Sequence, residues 1–261
     1  MARARTAPTV VAQRGDLVVE RDRRHPSGRL LIQAGMEASY VDLADPSHLE
    51  FDYMRWMRIV LQVARARRVI HVGGGACALA RALAAEDSAP AHPGRQEVCE
   101  VDPDVLALAR EHLGLRRTPG LRVRVAEGRA FVARQAAASW DAVAIDAFVS
   151  ATVPRRLITV EAFSNVARVA PLALINVLDD RTAGEVYLVA AGLSAAYPRV
   201  WALGGRTGNT IVVGSSRRLD LDRVAAQAAA DRSPARLTTQ ARLAVLIAGT
   251  PALRDEDLAE I

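Results

Sequence analysis

The 261-residue sequence contains no lysine, so all 34 of its basic residues are arginine. Against 29 acids they leave a formal charge of +5. Arginine in place of lysine, with abundant alanine, points to a GC-rich coding sequence rather than to selection for nucleic acid. The densest groups, Arg65/Arg67/Arg68 and Arg116/Arg117, fall near predicted helix ends or loops and lack interleaved aromatics. They read as solvated faces, and no nucleic-acid partner is expected. Cysteine is also scarce: Cys77 and Cys99 are the only two. With no CxxC and no Cys/His cluster at ligand spacing, neither a disulfide framework nor a metal site is expected. A helix N-terminus would lower the pKa of Cys77, but a small residue filling a crowded turn is the preferred reading. Long apolar runs are missing too. None reaches the ~18–20 residues that span a bilayer, and the basic start Met1-Ala-Arg-Ala-Arg5 leads into no hydrophobic region of signal-peptide type. The expectation is a cytoplasmic protein with no membrane partner.

What is present is the material of one large α/β domain: half the residues are apolar, and the length suffices to bury a core. Residues 1–15 are expected to be flexible. Asp16–Arg21 and Arg29–Gln33, separated by the turn-rich His25-Pro-Ser-Gly28, predict a hairpin, and Ala38–Asp42 predicts a further extended piece. Residues 16–45 thus form a small β appendage, and 46–261 form the α/β domain. Asp45 is placed to cap a helix running to about Ala66. From Arg68 strands alternate with helices, which implies a parallel sheet covered on both faces. The strands are expected at Arg68–Val72, Glu97–Val101, Leu121–Ala126, Trp140–Ile145, Leu172–Val177, Arg199–Leu203 and Asn209–Gly214. Only Gly204–Gly208 joins the last two, so the final strand should be antiparallel. Residues 219–261 read as two or three helices, broken at Ser233-Pro234.

The most informative stretch is Val69-Ile-His-Val-Gly-Gly-Gly-Ala-Cys-Ala-Leu-Ala80. An apolar strand ends in Gly73, Gly74 and Gly75, and a helical pattern follows, the arrangement that holds a nucleotide at the carboxyl end of a sheet. Glycine suits the tight turn and the close approach of backbone to ligand. Glu100 ends the next strand, where a carboxylate can accept two hydrogen bonds from a ribose diol, so the site reads as adenosine-shaped. Glu127 and Gly128 follow the third strand and would frame an adenine. Asp146 follows the fourth and would face the reacting end. Asp102 and Asp104, beside Pro103, read as helix caps. His71 reads as a satisfied core histidine rather than a catalytic one. His48 and Glu50 can be cleft residues or helix-surface residues. Tyr53, Trp56 and Met57 recur at helical spacing and read as packing.

In this order and spacing the Gly-Gly-Gly turn, Cys99-Glu-Val-Asp-Pro-Asp104, Val125-Ala-Glu-Gly128, Asp146 and Pro154-Arg-Arg-Leu-Ile-Thr-Val-Glu-Ala-Phe163 resemble the spermidine synthase family. More broadly they resemble the class I S-adenosylmethionine-dependent methyltransferase fold. The linker Gly35–Glu50 is also similar, and the resemblance covers about residues 28–214. It implies a Rossmann-like sheet, mostly parallel with an antiparallel last strand, and a small N-terminal β appendage. It also implies a homodimer and a transferase in polyamine biosynthesis. The ligand would be S-adenosylmethionine, its decarboxylated form or methylthioadenosine. Gly73, Gly74, Gly75, Glu100, Glu127 and Gly128 would bind it, Asp146 would be catalytic, and a small-molecule acceptor such as a polyamine would be alkylated.

The departures bear on the reaction. Aminopropyl-transferring members carry an Asp where this chain has Ala76, which would contact the aminopropyl end. They carry a second Asp, which deprotonates the attacking amine, where it has Val149, and a Gln where it has Ala38. A positioned base contributes typically ~10²–10⁴-fold, and carboxylates hold a dication in ways Val and Ala cannot. Ordinary spermidine synthesis is therefore in question, with methyl transfer as the replacement. Two other readings stay open. One is a non-catalytic nucleoside-binding protein that has lost the base. The other is an NAD-dependent dehydrogenase, because Gly73 through Ala78 also satisfies Gly-x-Gly-x-x-Ala.

Overall fold

The computed structural model describes residues 9–86, 94–179, 184–204 and 208–260. The N-terminal strands β1 (Thr9–Arg14), β2 (Leu17–Arg21), β3 (Gly28–Gln33) and β4 (Met36–Asp42) form an antiparallel meander in the order β1-β2-β3-β4. The expected hairpin and extended piece are thus three of four strands. The segment expected to be flexible supplies β1 from Thr9 onward, paired with β2 from Thr9↔Arg21 to Arg14↔Leu17. The rest of that segment, residues 1–8, lies outside the described residues. Its Thr-Val-Val-Ala-Gln-Arg run had the composition of a strand, but its pairing partner was not evident.

Beyond residue 50 the chain forms α1 (Asp52–Val63), β5 (Arg68–Val72), α2 (Ala78–Glu86), β6 (Arg95–Glu100), α3 (Pro103–His112), β7 (Leu121–Val125), α4 (Gly128–Ala133) and β8 (Ala142–Ile145). After these come α5 (Val160–Val169), β9 (Leu172–Asp179), α6 (Gly184–Ala196), β10 (Arg199–Gly204), β11 (Gly208–Ser215), α7 (Leu221–Ala229), β12 (Arg236–Thr238) and α8 (Gln240–Leu246). The large sheet has the order β12-β10-β11-β9-β8-β5-β6-β7. Pairs from β9 through β7 are parallel. β11 is inserted antiparallel between β9 and β10, as the short link required. Sequence reading had no strand at β12, because three residues after a proline carry too little periodicity.

Alternate strand residues feed two cores, because a parallel sheet is buried on both faces. Val69, Ala142, Ala144 and Leu174 join α1, α2, α3, α7 and the small sheet on one face. Ile70, Val143, Ile145 and Ile175 join α4, α5, α6 and α8 on the other. Asp45 does not cap α1, whose N-cap is Phe51 with no side-chain bond. Instead the Asp45 carboxylate accepts from the Ser47 amide and hydroxyl, closing a local turn. The chain then runs on to Phe51 before the helix begins, out of Asp45's reach.

The start of α1 is fixed by the C-terminal part of the chain. Buried Arg55 donates through Nε to both Asp231 oxygens (3.0 and 3.1 Å) and through Nη1 to the Leu49 and Glu50 carbonyls. Trp56 Nε1 donates to the Ser233 carbonyl at 2.9 Å. Arg232 donates to the Glu50 carboxylate, whose Oε2 also meets His48 Nε2 at 3.1 Å. Thus His48 is engaged with Glu50, and Glu50 with Arg232.

Candidate functional site

The chain runs from β5 outward through β6 to β7, then returns to place β8 on the other side of β5. Ligands of open α/β sheets bind beyond the strand carboxyl ends at such a reversal. Five expected residues meet there: Gly73, Gly74, Gly75, Glu100 and Asp146. Gly73 leaves β5 with φ +77°, and a Cβ on it would stand 2.2 Å from the Asp146 carbonyl oxygen. On Gly74 it would stand 2.4 Å from Val98 Cγ1, and on Gly75 3.1 Å from Ser39 Cβ. The turn is therefore packed against β8, β6 and β4 at once.

Glu100 holds this turn from the next strand. Its Oε2 accepts from the amides of Gly74 (2.9 Å) and Gly75 (3.1 Å), and Oε1 accepts from Asp102 N at 3.1 Å. A carboxylate has about four lone-pair sites, so these bonds leave about one for a further donor. Val101, immediately after it, is 67 % exposed. Glu127 is engaged locally, as the N-cap of α4. It accepts from Arg129 N and Ala130 N, and Arg156 Nη2 lies 3.3 Å from its Oε2. Its backbone, rather than its carboxylate, is what remains for a ligand. Gly128 lets α4 sit on β5, since a Cβ would come 2.3 Å from Val72 Cγ1. Asp102 caps α3 as expected.

Asp146 lies at the end of β8 and is held from two sides. Tyr53 donates its hydroxyl to Oδ2 at 3.0 Å, and Asn176 donates Nδ2 to Oδ1 at 2.8 Å. Asn209 on β11 in turn donates to Asn176 Oδ1 at 3.0 Å. Burial raises the Asp146 pKa, and the bonds from Asn176 and Tyr53 oppose the rise. The Tyr53 pKa is also raised, by burial and then by the Asp146 charge, so the phenol stays protonated and donates. Sequence reading missed Tyr53, Asn176 and Asn209 as site residues. The available signal was an asparagine inside the apolar run Leu172–Val177.

Under the turn lies a cavity of about 20 Å³, lined in part by Met54, His71, Gly73, Cys77 and Asp146, with room for about one water. A larger groove of about 430 Å³ lies apart from the turn, between the sheet edge and α4, around Arg95, Glu97, Arg124 and Arg134. The glycine turn, Glu100 and Asp146 do not line it, and we assign it no part in the chemistry. Burial pushes the thiols of Cys77 and Cys99 up to about 12, which removes Cys77 as a reactive group. Among the described residues no group of three or more His, Cys, Asp or Glu is arranged to hold a metal, and no helix is long and apolar enough to cross a membrane.

His71 is a core histidine, 5 % exposed, with Nε2 2.9 Å from Gln96 Oε1. Burial lowers its pKa to about 4, against an ordinary 6.5, and the Gln96 bond opposes the shift. The folded protein therefore binds this proton less readily than the unfolded chain. The contribution is fully present above about pH 6.5 and is lost as pH falls toward about 4. At pH 4.5 it should have cost roughly 2–3 kcal/mol. Urea unfolding at pH 7 and 4.5 should show a smaller loss for His71→Gln than for wild type. An equal loss in both would assign the acid sensitivity elsewhere.

No family model and no curated protein matches the chain. Among solved structures, a probable spermidine synthase from Corynebacterium glutamicum is similar at 26 % identity and TM-score 0.82, covering 96 % of this chain and 97 % of that one. The fold is that of the spermidine synthases. A spermidine synthase in complex with the transition state analogue AdoDATO matches at 16 % identity and TM-score 0.64, over 93 % and 86 % of the two chains. Human methyltransferase-like protein 13 in complex with SAH matches at 16 % identity and TM-score 0.53, over 80 % and 99 %. This spermidine synthase-like fold belongs to the wider Rossmann-like methyltransferase class, with the antiparallel N-terminal sheet added.

Proposed function

We propose that the protein is an alkyl transferase that binds S-adenosylmethionine or its decarboxylated form and transfers a methyl or aminopropyl group to a small-molecule acceptor. The observation that carries this reading is the joint placement of the Glu100-tied glycine turn and the doubly held Asp146 at the reversal of strand order. The AdoDATO and SAH complexes of the two proteins of similar fold support an adenosyl ligand. The enclosed space beneath the turn is far too small for a nucleoside, so the ligand would lie over the turn, in the crevice. The exposed face of Val101 suits the plane of a purine, and Glu100 would take the ribose with its free acceptor site. Accepting both ribose hydroxyls would require it to release one backbone amide. Asp146, facing the sulfonium carbon, would receive the proton that the acceptor gives up. On this reading the protein acts in the cytoplasm and as a homodimer.

Calorimetry with S-adenosylmethionine, decarboxylated S-adenosylmethionine and NAD tests the proposal. Wild type should bind a sulfonium nucleoside in preference to NAD. Glu100→Ala should weaken that binding about 10- to 100-fold, the loss of one or two hydrogen bonds to a charged group. Absence of sulfonium binding by the wild type would overturn the adenosyl site. Tight binding without product across all acceptors would favour a nucleoside-binding protein.

A further inference from the structure

A parallel sheet covered on both faces is built from near-continuous apolar strands. At the β7 end of this sheet the pattern changes: β6 reads Arg-Gln-Glu-Val-Cys-Glu and β7 reads Leu-Arg-Val-Arg-Val. Cys99 joins the core on the α4 side, and its register partner is Arg124. Arg95, Glu97 and Arg124 therefore share that face. The covering helix α4 is only six residues long, and the groove of about 430 Å³ opens beside it. Arg95, Arg124 and Arg134 line this groove together with one acid, Glu97.

Glu97 is 2 % exposed. Its Oε2 accepts from Arg95 Nη2 at 2.7 Å, and its Oε1 accepts from Arg124 Nε at 2.6 Å. Burial would raise the Glu97 pKa, but the bonds from Arg124 and Arg95 outweigh it and hold the group below its ordinary value. The acid thus stays ionised, with a guanidinium on each oxygen. Such a buried pairing adds little stability, because desolvation offsets the attraction. Its effect here is to fix two guanidinium groups in place, and Arg95 is further held over the Trp140 ring at 4.4 Å. Each guanidinium has five N–H donors, and each gives one of them to Glu97. The others can serve a ligand in the groove.

We propose that this groove binds the phosphoryl group of a small phosphate monoester, held by Arg95, Arg124 and Arg134. Three arginines against one neutralised acid select for an anion. A single carboxylate is satisfied by one guanidinium fork, whereas a phosphate monoester brings three acceptor oxygens and close to two negative charges. The volume leaves room for an organic body besides the phosphate. The site stands independently of the alkyl-transferase reading, because neither the glycine turn, Glu100 nor Asp146 lines it.

Calorimetry with ribose 5-phosphate, ribose and succinate, at one fixed ionic strength, tests the proposal. Wild type should bind ribose 5-phosphate at least about tenfold more tightly than succinate and should not bind ribose. Arg134→Gln, at an exposed position after α4, should keep the wild-type melting temperature and weaken that binding about 10- to 100-fold, the loss of hydrogen bonds to a charged group. Arg124→Gln should weaken it as well, but it also uncovers Glu97 and so lowers the melting temperature. Arg116→Gln, an exposed arginine outside the groove, controls for the loss of one positive charge and should bind like wild type. Glu100→Ala, which alters the crevice alone, should do the same. Absence of ribose 5-phosphate binding, equal affinity for succinate, or an equal loss in Arg116→Gln would each overturn the proposal. So would a loss confined to Glu100→Ala, which would place the phosphate in the crevice.

Discussion

Gly73→Ala should lower the melting temperature by at least about 5 °C and abolish binding of the adenosyl ligand. The new Cβ would lie 2.2 Å from the Asp146 carbonyl oxygen, 2.8 Å from its carbon and 2.9 Å from Ala147 Cα. These are backbone atoms and cannot rotate away. The position is also left-handed, at φ +77°, which costs an L-residue roughly 1–2 kcal/mol. Overpacking adds roughly 1–3 kcal/mol, and in a domain this size each kcal/mol shifts the midpoint by about 2–4 °C. Gly15→Ala is the internal control. Its φ is +58°, but nothing lies within 4 Å of the added carbon, so it should show the conformational penalty alone. Equal effects at the two positions would mean that the contact between the turn and β8 is not tight.

Asp146→Asn should reduce transfer by about 10²- to 10⁴-fold, the usual contribution of a positioned base. Ligand affinity should change by only a few-fold, because the turn and Glu100 stay in place. Tyr53→Phe removes the hydroxyl that meets Oδ2 and should cause a smaller loss, together with a shifted pH–rate profile. A structural role for Tyr53 alone would lower stability without moving that profile. The readout is single-turnover transfer from labelled S-adenosylmethionine under saturating ligand. Retention of the wild-type rate by Asp146→Asn would remove Asp146 from the chemistry.

The sequence made the backbone of the site legible, because turn chemistry is local. Three glycines after an apolar strand, and acids at the ends of the following strands, have one sensible arrangement in an α/β sheet. What surrounds Asp146 was less visible. Tyr53 does pack α1 onto the core, 7 % exposed, as its spacing with Trp56 and Met57 indicated. Periodicity gives a side chain's face and says nothing of where its hydroxyl ends. Asn176 and Asn209 meet only because β11 slots antiparallel beside β9, a pairing across sequence-distant strands. The Glu127 carboxylate was less legible for a related reason: an acid one residue before a helix satisfies that helix's free amides, here those of Arg129 and Ala130, which leaves its backbone for a ligand. The strands β1 and β12 depended on partners that no local pattern names.

The contacts that anchor α1 also bear on the timing of synthesis. Arg55 and Trp56 take their partners from Asp231 and Ser233, and the Asn176 side-chain oxygen Oδ1 accepts from Asn209 Nδ2. A nascent chain emerging from a ribosome would carry the glycine turn and Glu100 long before these partners exist. Until about 230 residues have emerged, Tyr53 sits on a helix without its far clamp. The surroundings of Asp146 are thus assembled last, by segments made after the glycine turn and Glu100 are in place.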